Sequence, residues 1–130
     1  MIFNKENRHR KEIQRQKRKE KYDKVYALHE QADFLCYIND AYLEKYKGKE
    51  FMKLEGIVAK GTGCLDDTFL LFDCEGRQKA VITMEELFCG QESVKQLESG
   101  DKRVALYPKE QEIPYRAGDI LCKLNAEKDT

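Results

Sequence analysis

Gly56-Ile57-Val58-Ala59-Lys60-Gly61-Thr62-Gly63-Cys64-Leu65-Asp66-Asp67-Thr68-Phe69-Leu70-Leu71-Phe72 is the stretch whose reading decides the fold. Its opening belongs to a run, Phe51–Lys60, that reads as a strand and is predicted to end at Gly61-Thr62-Gly63. A second strand follows over Thr68–Cys74, closed by a hairpin-type turn at Glu75-Gly76. Within it Phe69 and Leu71 point to one face, and Leu70 and Phe72 to the other. A strand with water on one side would carry polar residues there. This one is apolar on both faces, so its outer side needs a cover.

Outward from that hairpin the same texture continues. Gln78–Met84 reads as a third strand, residues 89–101 as a polar connection ending in Ser99-Gly100-Asp101, and Lys102–Tyr107 as a fourth strand. Ile120–Leu124 is a fifth, after Ala117-Gly118-Asp119. Short strands between glycine-centred turns predict a small closed antiparallel β-barrel over residues 51–124, with 125–130 as a tail. Phe69-Leu70-Leu71-Phe72 is far too short a run to cross a bilayer.

Before the barrel the chain is different. From Lys5 to Lys47 there are 43 residues without Gly or Pro. Asn4 can cap a helix start and Gly48 can stop one. Over 22–47, Val25, Leu28, Ala32, Leu35 and Tyr42 fall at heptad-like spacing, widened by Phe34, Ile38, Ala41 and Tyr46. This predicts an amphipathic helix, in one piece or broken in two at Asn39-Asp40. The expected fold is thus mainly β with an N-terminal α segment that packs on the barrel. Leu35, Ile38 and Tyr42 are the expected cover for Leu70 and Phe72, unless a dimer contact meets the same demand.

Charge separates the two parts. Residues 1–21 carry nine Lys/Arg against three Asp/Glu, and the remainder fifteen against twenty-one. The arm is expected to be helical or partly disordered; as a helix it presents Arg8, Lys11, Arg15 and Arg18 on one stripe and Arg10, Lys17 and Lys21 on another, with Lys19 beside them. Such a segment suits an anionic partner such as RNA, gripped through phosphates, and suits its own acidic body equally well. It carries no aromatic residue for base stacking from Lys5 to Lys21. Ile13 is the single apolar residue there, so no signal peptide is read and a cytoplasmic location is expected. The five cysteines, Cys36, Cys64, Cys74, Cys89 and Cys122, are widely spaced with no C-x-x-C, which fits reduced thiols rather than a disulfide framework or zinc site.

The barrel segment resembles domain two of elongation factor Tu and related translational GTPases. Gly56-Ile57-Val58-Ala59-Lys60-Gly61-Thr62 resembles that family's opening G-x-V strand, and Leu65-Asp66-Asp67-Thr68 its V-G-D loop. Met84-Glu85 resembles its [IV]-E, Ser99-Gly100-Asp101 its A-G-D turn, and Ile113 through Arg116-Ala117-Gly118-Asp119-Ile120-Leu121 its closing I-x-R-G-x-V-L. The resemblance covers residues 51–124, with Asp66 in place of the loop glycine and Ala117 as an extra residue. It implies a translation-type barrel, with Glu85 at the position that helps receive the acceptor end of aminoacyl-tRNA. From the residues alone Glu85 reads as an exposed strand-end carboxylate beside Glu86.

No G-x-x-x-x-G-K-[ST] phosphate loop occurs in the 130 residues, so nucleotide hydrolysis is not expected. His9 and His29 are isolated on the helical segment, Asp66-Asp67 and Glu85-Glu86 point to opposite faces of a strand, and Ser93 and Ser99 have no triad context. No catalytic constellation, cofactor or metal site is read. Two functions follow: a non-enzymatic module binding RNA, a ribosome or a translation component, or a protein–protein adaptor that homo-oligomerises through the Val25–Tyr46 stripe.

Overall fold

The computed structural model describes residues 23–124; the readings made on the basic arm and on the 125–130 tail lie outside the described residues. One helix, α1 (23–31), is followed without a loop by β1 (Ala32–Tyr46). Eight further strands complete a single antiparallel sheet. They are β2 (Lys49–Cys64), β3 (Phe69–Phe72), β4 (Gln78–Ile82), β5 (Met84–Cys89), β6 (Glu92–Val94), β7 (Gln96–Glu98), β8 (Val104–Pro108) and β9 (Ile120–Leu124).

The helix expected over 22–47 is therefore corrected: it stops at 31, and 32–46 is strand. The segment has a second solution with a period of two, in which Phe34, Cys36 and Ile38 are all buried in the core. Phe34, Tyr37, Ile38, Tyr42 and Tyr46 are strand-favouring types. A run lacking Gly and Pro excludes breakers without choosing between helix and strand, and the partner chooses. Here β2 pairs along β1 from Phe34↔Gly61 to Tyr46↔Lys49. Gly48 is accordingly no helix stop. With Lys47 at φ 51° and Gly48 at φ 80°, the two residues make a left-handed two-residue hairpin turn.

A second difference lies at Gly61-Thr62-Gly63, where β2 does not end. Gly61 sits at φ 71°, the ladder with β1 runs out there, and Thr62–Cys64 pairs onward with β7. Residues 89–101, expected as a connection, instead hold β6 and β7, and β5 runs on to Cys89.

The sheet order is β4-β3-β9-β1-β2-β8-β5-β6, with β7 on β2. The neighbours in sequence β4 and β5 thus lie towards opposite ends of the order, yet only Thr83 separates them. The sheet must curl for one residue to join them. Thr83 is gripped at that corner by Glu110, whose carboxylate accepts from its backbone N–H (2.6 Å) and hydroxyl (2.9 Å). Among the described residues no ladder joins β4 to β6. Inside the curl is one apolar core that includes Phe34, Leu54, Phe69, Leu71, Ile82, Met84, Leu87, Leu106 and Leu121, drawn from strands along the whole order. Each fully buried Leu- or Phe-sized side chain contributes roughly 1.5–3 kcal/mol.

A second apolar cluster lies on the outside. Leu35, Phe72, Ile120 and Cys122 are buried there under Leu28, with Val25 and Leu70 at the margin. The apolar outer face of β3 is thus covered by α1, through Leu28 and Val25. Leu35 belongs to the sheet beneath the helix and not to the helix itself.

Candidate functional site

The β1–β2 hairpin outruns its neighbours. β9 pairs with β1 only as far as Tyr37, and β8 with β2 only over Leu54–Gly56. Beyond those points the hairpin is a two-stranded arm. Cross-strand partners share a face, so Tyr42, Glu44 and Tyr46 of β1 stand with Lys53, Phe51 and Lys49 of β2.

That face folds onto β8 and β5. The Tyr46 ring stacks on Tyr107 at 4.5 Å between centroids, with Phe51 edge-on to both and Phe88 edge-on to Tyr107 at 5.7 Å. Polar tips complete the contact. Tyr46 donates to Glu86 at 2.5 Å, Ser93 donates to the same carboxylate, and Tyr42 donates to Glu55. Lys53 pairs with Glu44 at 2.9 Å, and its ammonium lies 5.7 Å from the Tyr42 ring centre. The Ser93 hydroxyl and then the Tyr46 hydroxyl hold Glu86 below the usual carboxylate range. The Glu44 carboxylate holds Lys53 above the usual lysine range.

Beside this brace runs a groove on the outer face. Its polar half, about 350 Å³, has Gly56 and Ala105 among its lining, with Asn39, Gln91, Lys102 and Arg103 around them. Its apolar half, about 260 Å³, adjoins Phe88 and Tyr107, and Lys53 lines both. Lys102 and Arg103 are exposed and make no ion pair with another described residue. The groove therefore offers two exposed cations, with the Glu55 carboxylate also in its lining and the ring of Tyr107 buried at its other end. Lys102 and Arg103 can hold an anionic group by charge. Among the described residues no cluster of His, Cys, Asp and Glu could hold a metal, and no helix is long and apolar enough to cross a membrane.

The residues singled out from sequence fall in separate places. Arg8, Arg10, Lys11, Arg15, Lys17, Arg18, Lys19 and Lys21 lie outside the described residues. Glu85 is exposed on β5, and it is its neighbour Glu86 that the hairpin engages. Leu35 meets Phe72 and Leu70 in the outer cluster, Ile38 points into the core, and Tyr42 stands on the arm. The Val25–Tyr46 stripe, on which the adaptor reading rests, is divided between α1 and β1. Sequence reasoning passed over Tyr46, Glu86, Phe88, Tyr107, Lys102 and Arg103. One signal was present: Tyr42, Glu44, Tyr46 and Phe51, Lys53, Glu55 are two period-two runs flanking Lys47-Gly48.

No family model and no curated protein matches the sequence. Solved structures do match the fold. Translation elongation factor SelB from Methanococcus maripaludis, apo form, is similar over 75% of this chain and 19% of its own, with a TM-score of 0.52 and 20% identity. The same factor bound to the GTP analogue GppNHp gives the same values. A bacterial selenocysteine-specific elongation factor, EF-Sec, is similar over 72% of this chain and 15% of its own, with a TM-score of 0.56 and 17% identity. The chain thus has the fold of a domain-sized piece of these translation factors and spans less than a fifth of their length.

Proposed function

We propose that the chain is a non-catalytic binding module of the translation-factor barrel type, acting on RNA, a ribosome or another translation component. The fold shared with elongation factors over 72–75% of the chain carries this reading. The basic arm supports it, because its nine cations stand ahead of an acidic body. The groove supports it too, since the exposed Lys102 and Arg103 offer phosphate contacts. The arm would supply electrostatic affinity and the groove a docking face. In this reading the curled sheet is a barrel, and Glu85, exposed on β5, takes the ligand-site role that the resemblance implies.

Filter binding to bulk tRNA and rRNA at 50 and 200 mM salt tests it. With about six phosphate contacts, affinity should fall on the order of 10³-fold between the two salts. Deleting residues 1–21 should remove most low-salt binding, and Lys102→Gln with Arg103→Gln should weaken the rest. Absence of low-salt binding, or binding indifferent to both changes, overturns the proposal.

A further inference from the structure

We propose that helix α1 is a releasable strap that leaves the sheet while the sheet stays folded, uncovering the apolar outer face of Leu35, Phe72, Ile120 and Cys122. The helix holds on by little. Of residues 23–31 only Leu28 is buried, Val25 and His29 are half-buried, and the other six are exposed. Lys60 ties the helix end to the sheet: its ammonium donates to the His29 carbonyl at 2.8 Å and satisfies one helix-end acceptor.

The sheet below has its own reasons to persist. β1 is paired on both sides, by β2 and β9, and β9 is paired by β3 as well as β1. None of those ladders uses the helix. The core cluster around Phe34, Leu54, Leu87 and Leu106 contains no helical residue. Loss of α1 therefore removes one face of the outer cluster and none of the inner one. Segments with few buried contacts open separately from the global unit. Leu70, at the margin of the outer cluster, is only half-buried, so the cover is already incomplete.

Two cysteines report the two events independently. Cys122 is buried in the outer cluster and Cys36 in the inner core. In a chain carrying Cys64→Ser, Cys74→Ser and Cys89→Ser, thiol labelling mapped by mass spectrometry reads both openings. Cys122 should label roughly 100-fold faster than Cys36, with a shallow urea dependence against a steep one, since strap release exposes little surface. Ile82→Val, a mild change in the inner core, should speed Cys36 about fivefold and leave Cys122 unchanged. Equal rates, equal urea slopes and equal acceleration by Ile82→Val would mean that α1 leaves only when the whole sheet unfolds, and the strap would be refuted. Should the triple variant fail to fold, amide exchange of residues 25–31 against 34–38 in the native chain makes the same comparison.

Discussion

Two glycines of β2 and its turn show how differently one residue type can be constrained. At Gly48 the backbone is left-handed, φ 80°, with nothing within 4 Å of where a side chain would begin. At Gly61, φ 71°, a side-chain carbon would lie 1.6 Å from the Asp33 carbonyl oxygen. The first site penalises alanine through backbone conformation alone, by about 1 kcal/mol. At the second, β1 and β2 would have to move apart. Urea denaturation should therefore show Gly48→Ala as a modest loss and Gly61→Ala as several-fold larger, or as failure to fold. Similar losses at both would contradict the close approach of the strands.

Among elements, the loop before β9 is tied to the edge strand β4 by a buried ion pair. Asp119, 3% exposed, accepts from Lys79 at 2.7 Å and from the Arg116 backbone N–H at 2.9 Å. Lys79 also donates to the Pro114 carbonyl at 2.6 Å. Lys79→Met strands a carboxylate in a buried site and should cost about 3 kcal/mol by thermal or urea melts. Adding Asp119→Leu should return part of it; no recovery would show that the loop depends on more than this charge.

What the sequence disclosed at this scale follows from local chemistry. Ile120–Leu124 is a strand as read, and β3 and β4 lie within their expected spans, because turn residues bracket them. Asp73 shows how: its carboxylate accepts from the backbone N–H groups of Glu75 and Arg77, so the turn is written in five consecutive residues. Residues 32–46 were misread because their pattern satisfies both periods and the deciding partner begins only at Lys49. The brace was hidden for a related reason. Tyr46, Glu86 and Tyr107 are far apart in sequence, and only the sheet order brings them together.

Over the whole molecule, several carboxylates have their proton affinity depressed by folding. Glu44 lies below its usual range through Lys53, and Glu86 through Ser93 and Tyr46. Burial pushes Asp67 and Asp73 upward, but Lys123 with the Cys64 N–H, and the Arg77 and Glu75 N–H groups, outweigh it. A depressed carboxylate stabilises fully above its unfolded pKa, about 4. The contribution disappears as pH falls through the lower folded value. Melting temperatures should hold from pH 7 to about 5 and decline towards pH 3, and Glu86→Gln should flatten the decline slightly. A melting temperature unchanged at pH 3 would mean these contacts contribute nothing.

The place of β9 in the order has a consequence for biosynthesis. Residues 120–124 fill the slot between β3 and β1, so a nascent chain synthesised through residue 119 holds two unsatisfied strand borders waiting for a middle member. Those borders are the kind that pair with a wrong neighbour. The hazardous interval is therefore the time between synthesis of residue 119 and the docking of β9 into that slot.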